Sequence, residues 1–499
     1  MKIIASNSQL YTSQQAYRLD QKFIESGVVA IQLMKRAAEA AYKLLQQHYS
    51  NCPVRIFCGG GNNGGDGYAL AGLLAQRNCL VDVVQLVPTN LLKNDVLVAA
   101  QFAEENGVKF YPLGAQPEIK NAVLVDALLG IGAKGAPRIE FANAIDWMNQ
   151  SGLPILALDL PSGLDADTGY AAGSVVCASK TISFIVLKAG SLTGKGPAVC
   201  GELILADLQI PSELLEQQKA ESEIIQLESS FDFLALRKAD AHKGNFGHVM
   251  IIGGDIGYGG AALMAAEAAA RTGAGLVSLV TRPEHIAASL VRCPEIMARG
   301  VVSGQELETL LSRPTVLVVG PGLGRSPWSE QMLQQAVKSG LPMVLDADAL
   351  NILSEGRVVP FGTKGQWLIT PHPAEAARLL GCTTDEIQQD RFESIKKLVA
   401  RFNATVILKG AGSLVLGDSG KVGLISAGNP GMATGGMGDV LSGILGGLLA
   451  QGLSMEHAAN LGALIHAVAA DGAAEERGQP SLMATDLLPY LCQIIRNRK

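Results

Sequence analysis

The chain lacks the features that would assign it to several large protein classes. Its net charge of −6 leaves no basic surplus, so no stripe is available to neutralise a nucleic-acid backbone and no polybasic run would hold it on an anionic membrane. Neither nucleic acid nor a membrane is expected as a partner. Eight cysteines are scattered over 499 residues with no Cys-x-x-Cys pair, which excludes a disulfide scaffold and fits a reducing, cytoplasmic setting. The longest apolar stretches, 441–450 and 461–470, are interrupted by glycine or histidine and fall short of the roughly 20 residues a bilayer needs. Near the N-terminus only Ile3, Ile4 and Ala5 precede polar residues, too short a core for an export signal. A Walker A loop is also missing. The nearest string, Gly190 to Gly196, has one residue too few between its glycines and no Ser or Thr after Lys195, so a nucleotide would have to be held another way.

What is there is a globular composition: 48% hydrophobic residues, 17% charged, and 57 glycines that imply many turns and close backbone approaches. At 499 residues the chain exceeds what one hydrophobic core supports, and at least two domains are expected. Leu33, Met34, Ala37, Ala38, Ala41, Leu44 and Leu45 recur at the spacing of one helix face. Short apolar runs follow at 54–57, 80–87, 122–125, 155–158 and 182–187, then again at 249–252, 276–280, 316–319, 343–345, 367–369 and 405–408. Runs apolar on both faces, separated by helix-length segments, read as strands of a parallel sheet buried between helix layers. The expected fold class is α/β, a Rossmann-like three-layer sandwich followed by a second α/β domain. The Glu- and Gln-rich interval 212–230 marks the join, and its helical propensity is compatible with order. The domain reading is 1–211, a linker at 212–224, and 225–499.

The first candidate site is GGGNNGGDG, Gly59 to Gly67, which follows the strand at 54–58 and leads into a helix expected to begin near Tyr68. A strand, loop and helix in that order aim backbone N–H groups at a ligand, with phosphate the natural guest. Gly59, Gly61 and Gly64 have the G-x-G-x-x-G spacing, but glycines also serve tight turns. The acidic residue that would hold a ribose at the end of the second strand is missing, since Asp82 lies at that strand's beginning. A standard dehydrogenase is therefore disfavoured. Asp66, Asp126 and Asp159 are expected at successive strand ends, with Ser162 shortly after Asp159. In an open α/β sheet those ends face one crevice. Turn chemistry explains any one of the three; together they point to one pocket.

GNNGGDG, VDALLGIGAKG and ALDLPSGLDADTG resemble the NAD(P)HX epimerase domain, also called the YjeF N-terminal domain, over most of residues 1–211. The resemblance implies an enzyme that interconverts the R and S epimers of hydrated NADH or NADPH. It places Asn62, Asn63, Gly64, Gly65, Asp66, Gly130, Ile131, Gly132, Ala133, Lys134, Gly135, Ala136 and Asp159 at the hydrate. It also implies a potassium ion (K+) at Asn63, Asp126 and Ser162, whose hard oxygen donors suit an alkali ion. Asp159 is the candidate acid/base. Epimerisation at the hydroxyl-bearing carbon opens and recloses a bond, through loss and return of water or through ring opening, and a carboxylate can shuttle the proton.

The second candidate site spans 429–447. Gly435, Gly436 and Gly438 precede Asp439, and apolar residues at 440, 441, 444, 445, 448 and 449 follow at helical spacing, so a helix is expected to start at the aspartate. Glycines before a helix expose N–H groups to an anion, and the adjacent carboxylate can deprotonate a hydroxyl that attacks it. Capping would explain Asp439 by itself but not so many preceding glycines. Upstream, 408–417 reads as strand, glycine turn and strand, with Lys409 and Ser413 able to face phosphates and a solvated turn lysine as the plainer reading. His248 and His466, in apolar surroundings, are expected to be structural.

The Gly436–Asp439 element, late in an α/β chain, resembles the ribokinase-like superfamily, which binds nucleotides without a P-loop. With residues 242–261, GPGLG (320–324), DADALN (346–351) and TPHPAEAARLLG (370–381), the second domain is similar to the NAD(P)HX dehydratase family over nearly all of 225–499. This implies a ribokinase-like α/β fold and removal of water from the S hydrate with ADP as co-substrate and magnesium (Mg2+) assisting, giving AMP, phosphate and the coenzyme. It places Lys409, Gly410, Ala411, Gly412, Ser413, Asn429, Gly431, Met432, Ala433, Thr434, Gly435, Gly436, Met437 and Gly438 at ADP. Ala261, Gly322, His372 and Asp439 would meet the hydrate, Asp439 as the base. His372 stands three residues before Glu375, where the sugar kinases' Asn-x-x-Glu motif has asparagine. The expectation is a bifunctional repair enzyme acting on NADHX and NADPHX, with a homo-oligomer left open. Two alternatives stand beside it: a ribokinase-like vitamin-precursor kinase with a fused ligand-binding domain, and a non-catalytic sensor built on the N-terminal fold.

Overall fold

The computed structural model describes residues 3, 4 and 8–497; Ala5, the last of the short apolar stretch weighed as an export signal, lies outside them. The chain divides into two compact units, 1–223 and 224–499.

The strands up to the join are β1 (Ile3–Ile4), β2 (Gln9–Tyr11), β3 (Val54–Cys58), β4 (Val81–Gln85), β5 (Lys109–Pro112), β6 (Val123–Ala127), β7 (Ile155–Leu158), β8 (Lys180–Phe184), β9 (Leu187–Lys188), β10 (Glu202–Ala206) and β11 (Ser222–Ile224). Eight form one parallel sheet in the order β1-β10-β8-β7-β6-β3-β4-β5, while β2 pairs with β9 and β11. Alternate strand residues feed two cores. Ile56, Val83, Val125 and Leu156 pack with the helices Ala30–Tyr49 and Asn62–Gln76, and Phe57, Val84, Leu124 and Ala157 pack with Ile139–Gln150 on the other face. Every apolar run expected in this half is a strand. β5 carries no such run because it is an edge strand, exposed at both of its ends. From β3 the chain continues to β4 and β5 on one side, then crosses to β6 and beyond on the other. That reversal opens a crevice at the carboxyl ends of β3 and β6.

Two expectations need correction here. The helix after β3 begins at Asn62, not near Tyr68, so Gly64, Gly65 and Gly67 are helical and none has a positive φ. Their missing side chains are a packing requirement: a Cβ on Gly64 would lie 2.1 Å from Gly59 O, on Gly65 2.4 Å from Met34 Cε, and on Gly67 2.5 Å from Ala127 Cβ. Asp66 accordingly projects from this helix, and Asp126 is the fourth residue of β6 and fully buried, so neither sits at a strand end. The polar interval 212–230 is ordered, containing the helices Ser212–Glu216 and Leu227–Phe231 with β11 between them.

The second unit's sheet comprises β12 (His248–Ile252), β13 (Leu276–Thr281), β14 (Met297–Gly300), β15 (Val316–Val319), β16 (Met343–Leu345), β17 (Trp367–Ile369), β18 (Thr405–Leu408), β19 (Ser413–Leu416) and β20 (Val422–Ile425), in the order β14-β13-β12-β15-β16-β17-β18-β19-β20. It is parallel through β18, and β19 and β20 turn back antiparallel. Val249, Val277, Val318 and Val344 face the helices Gly259–Thr272 and Met437–Ala450. Those two helices approach closely because their facing residues are small: a Cβ on Gly443 would lie 2.1 Å from Ala265 O. This sheet also reverses direction, between β12 and β15.

Candidate active sites

In the first unit a cavity of about 1300 Å³ opens at the crevice. Asn62, Asn63, Asp66, the run Gly130 to Ala136 and Asp159 line it, whereas Gly64 and Gly65 are buried behind, against Gly59 and Met34. Asp159 follows β7 with a φ of 64°, a left-handed conformation that costs a non-glycine residue about 1 kcal/mol or more. The surroundings impose it. Asp159 N–H donates to Ile182 O at 2.7 Å, and its Oδ1 accepts from Phe184 N–H at 3.1 Å and from the Lys188 ammonium. Lys188 is 2% exposed and also donates to Phe184 O at 2.9 Å.

Burial pushes Asp20, on the helix Ser13–Glu25, up to about 7, with Lys188 opposing and Asp159 adding to the shift. Burial likewise raises Asp66 well above the carboxylate range, helped by Asp159 and Asp20. Three carboxylates thus share one ammonium. Neither Asp20 nor Lys188 was expected. Lys188 was detectable as a charge ending an apolar run, but Asp20 sits among other polar residues of its helix with nothing to single it out. Lys134, expected at the hydrate, lines the cavity with its ammonium shared between Asp165 at 2.9 Å and Asp167 at 2.8 Å.

Asp126 and Ser162 lie beneath this surface, both buried. Asp126 Oδ1 accepts from Ser162 Oγ–H at 2.6 Å, Ser162 Oγ accepts from Leu129 N–H at 2.9 Å, and Asn63 Nδ2 donates to Leu129 O at 2.9 Å. The three residues converge on one stretch of backbone. Asn63 Oδ1 is buried without a hydrogen-bond partner, an acceptor of the kind that an oxygen-ligated cation would satisfy.

In the second unit, loops at the carboxyl ends of β12, β15, β16, β17 and β18 supply the site. Asp255 N–H donates to Gly322 O at 2.7 Å, and a Cβ on Gly322 would lie 3.0 Å from Ala261 Cβ, so Ala261 and Gly322 are adjacent. Asp346, 1% exposed, accepts from Lys409 Nζ at 2.8 Å and from Ser442 Oγ–H at 2.9 Å. Burial opposes its ionisation, but Lys409 outweighs that and holds it below the usual range. Burial would likewise depress Lys409, yet Asp346 and Glu375 hold it above its ordinary value. Lys409 is therefore ion-paired and not the solvated turn lysine of the plainer reading.

The helix Met437–Ala450 begins two residues before Asp439, with Gly436 as its N-cap at a left-handed φ of 91°. Asp439 is its third residue and the cap is a glycine, so the capping explanation does not apply. A Cβ on Gly438 would lie 3.2 Å from Asp346 Oδ2 and 3.4 Å from Lys409 Nζ; glycine seats the helix start directly on that ion pair. Burial pushes Asp439 up to about 6, with Asp346 adding and Lys409 opposing. Ala433, Thr434 and Gly435 are exposed, as are Gly410 and Ala411. Ser413 Oγ closes its own turn, accepting from Gly410 N–H at 3.2 Å and donating to Gly410 O at 3.0 Å. Asn429 Oδ1 accepts from Gly431 N–H at 3.0 Å while its Nδ2 donates to Asp471, which shapes the loop holding Met432.

His372 is the N-cap of the helix Pro373–Leu380, its Nδ1 accepting from Ala374 N–H at 3.1 Å, and Nε2 lies 3.4 Å from Glu375 Oε1. Burial, then Lys409 and Arg378, lower its pKa, so the neutral ring carries its proton on Nε2. Burial and Asp346 raise Glu375, against Lys409 at 3.8 Å. Arg391 escaped the sequence reading. It is 1% exposed and donates to Leu408 O and Lys409 O at 3.1 and 3.3 Å, which fixes the start of the 409–412 turn. His248 is hydrogen-bonded to Ser278 at 2.7 Å, and His466 is buried.

Comparison with known proteins gives matches in both units. The family model described as YjeF-related protein N-terminus matches residues 30–190, and the one described as NAD(P)H-hydrate dehydratase matches 249–493. The bifunctional NAD(P)H-hydrate repair enzyme Nnr of Coxiella burnetii is 44% identical over 97% of this chain and 98% of its own length. Its Escherichia coli counterpart is 41% identical over 94% and 90%, and the Leishmania major enzyme is 38% identical over 91% and 88%. Among solved structures, a ribokinase-like superfamily protein from Enterococcus faecalis has a TM-score of 0.51 at 28% identity, covering 55% of this chain and 95% of its own. The ADP/ATP-dependent NAD(P)H-hydrate dehydratase of Bacillus subtilis, co-crystallised with ATP and magnesium, has a TM-score of 0.50 at 26% identity, covering 55% and 98%.

Proposed function

The chain belongs to the family of bifunctional NAD(P)H-hydrate repair enzymes, an NAD(P)H-hydrate epimerase joined to an NAD(P)H-hydrate dehydratase, and on that premise we propose which residues carry each reaction. The vitamin-precursor kinase reading is not favoured, because the relatives named for hydrate repair match this chain over nearly its whole length.

For the dehydratase, the observation that carries the assignment is Asp439, half-buried at the start of its helix with a carboxyl pushed up to about 6 beside the Lys409–Asp346 pair. Asp439 takes the proton from the hydroxyl of the S hydrate. That oxygen bonds to the terminal phosphorus of ADP as the bond to AMP breaks. Phosphate then leaves carbon 6 with the bonding pair while the ring nitrogen's lone pair forms a double bond, and loss of a proton from carbon 5 restores the dihydronicotinamide. The exposed turn 410–412 and the loop 429–436 offer backbone N–H groups to the ADP phosphates, with the Lys409 ammonium beneath them. Magnesium bound with ADP would supply positive charge at the phosphates, and buried Glu375, 3.8 Å from Lys409, would be a carboxylate able to hold it. Ala261 and Gly322 leave room for the hydrate, and the Nε2 proton of His372 can be donated to it.

For the epimerase, Asp159 acts as the base toward the hydroxyl at carbon 6, positioned by its ion pair with Lys188. The loop 130–136 and the start of the helix Asn62–Gln76 cover the hydrate. Asn63, Asp126 and Ser162 would hold potassium, which the unpartnered Asn63 Oδ1 supports; when bound, the ion would supply a fixed positive charge under the hydrate. The substrates are NADHX and NADPHX, and the cytoplasm, where nicotinamide coenzymes turn over, is the assigned location. Incubating the purified chain with hydrated NADH, ADP and magnesium should return the absorbance of reduced nicotinamide from both epimers. No return, together with phosphorylation of a pyrimidine or thiazole alcohol, overturns the assignment.

A further inference from the structure

Epimerisation by ring opening moves one proton off the hydroxyl oxygen and another onto the ring nitrogen, a task that two proton-handling groups can divide. Asp159 is ion-paired with Lys188 and accepts from the Phe184 N–H at 3.1 Å, the setting of a group that takes the hydroxyl proton. Its counterpart must line the same cavity, be partly withdrawn from water and make no direct ion pair. Asp20 meets these conditions. It projects from the helix Ser13–Glu25 into the cavity that Asp159, Asp66 and Lys188 also line, and it is coupled to those groups through charge and not through a hydrogen bond.

We propose that Asp20 is the second catalytic group of the epimerase, giving a proton to the ring nitrogen as the ring opens and retaking it as the ring closes. The proposal rests on the reading of Asp159 as the base. As the ring opens, the hydroxyl proton passes to the Asp159 carboxylate and the O–H pair becomes the second bond of a carbonyl at carbon 6. The bond from carbon 6 to the ring nitrogen breaks, and the nitrogen, keeping that pair, takes the proton of the Asp20 carboxyl. Rotation about the bond between carbons 5 and 6, followed by the reverse transfers, closes the ring as the other epimer. Both side chains return to their starting states.

Asp66 on its helix, Asp159 after β7 and Lys188 on β9 are the charged groups facing Asp20; Asp95, Lys134, Arg138, Glu140 and Asp165 stand around the rest of the wall. Burial brings Asp20 to about 7, where a carboxyl both donates and accepts near neutrality. Burial raises Asp66 well above its range, with Asp159 and Asp20 adding to the shift and Lys188 opposing it.

The test uses the full chain with mixed hydrates of NADH, ADP and magnesium, following the absorbance of reduced nicotinamide. The fast first phase reports the S hydrate and the dehydratase; the slow second phase, corrected for spontaneous epimerisation, reports the epimerase. Asp20→Asn should slow the second phase by about 100-fold or more with the first phase unchanged. Asp20→Glu should recover part of it. The wild-type second phase should fall above a pH of about 7 as Asp20 loses its proton, and the residual Asp20→Asn rate should lose that limb. A wild-type second phase in Asp20→Asn, or a slowed one with the wild-type pH profile, overturns the proposal. Asp159→Asn is measured alongside: if it is as fast as wild type, the Asp159 reading fails whatever Asp20→Asn does, and if it alone is inactive, that reading stands while the Asp20 proposal falls.

Discussion

The two glycine-rich segments, 59–67 in the first unit and 429–439 in the second, look alike as strings, and each leads into a helix beside a carboxylate. Their glycines answer to different forces. In the first, Gly64 and Gly65 are already helical and buried, and each is glycine because another atom occupies the space of its Cβ. In the second, Gly435 is exposed with nothing within 4 Å of a Cβ, and Gly436 combines a left-handed φ of 91° with a Cβ position 2.7 Å from the flexible end of Met264. The acids differ as well. Asp66 sits one turn into its helix beside two other carboxylates, whereas Asp439 is at the third position beside an ion pair. A glycine cluster before a helix is therefore two motifs with one spelling: one lets a helix press onto a sheet, and the other leaves a backbone surface open to an anion.

The largest effect should come from removing the acid of the second cradle. Asp439→Asn should lower dehydratase kcat by about 10² to 10⁴-fold, the usual contribution of a general base, while ADP binding by calorimetry stays within a few-fold because the loop 429–436 is intact. An equal loss in ADP affinity would make Asp439 part of the cradle and collapse the distinction between acid and glycines. Next is the packing glycine of the first segment. Gly64→Ala places a methyl 2.1 Å from Gly59 O, a backbone atom, and should cost about 3 kcal/mol in urea unfolding of the first unit. Unfolding of the second unit should not change.

The α/β class, the strand runs and the candidate aspartates Asp159 and Asp439 were legible because each depends on local pattern: apolar runs for buried strands, a carboxylate beside glycines for a site. The start of the helix at Asn62 was not, since nothing in GGGNNGGDG distinguishes a glycine excluded by Met34 from one needed for a turn. Arg391 was invisible for a related reason. Leu408 O and Lys409 O, to which it donates beside Gln388 Oε1, are backbone atoms and leave no trace in residue identity. Asp20 and Lys188 belong to segments more than 160 residues apart in sequence and acquire meaning when the fold brings them to one cavity wall.

The third expected effect concerns pH and separates the two acids. In the base role proposed for Asp439 the carboxylate is the active form; with the carboxyl pushed up to about 6, dehydratase kcat/KM should hold above that pH and fall tenfold per unit below it. The epimerase should behave oppositely at the alkaline side, where Asp20 loses its proton above about 7. One chain assayed in its two kinetic phases across pH 5 to about 9 should therefore show limbs of opposite sign. Limbs of the same sign would mean that both phases are limited by one step.

The smallest expected effect is the sharpest for the comparison. Gly435→Ala adds a methyl where nothing lies within 4 Å and the φ is not left-handed, so unfolding free energy should change by less than about 0.5 kcal/mol. The methyl would stand on the surface assigned to the nucleotide, and KM for ADP should rise several-fold with kcat for saturating ADP little changed, the pattern of lost uniform binding. In the first segment the same substitution at Gly64 should do the reverse, destabilising the fold from a position behind the cavity wall. If Gly435→Ala leaves KM for ADP as it was, the exposed glycines are not the anion surface, and the phosphates must be held by the turn 410–412 above Lys409.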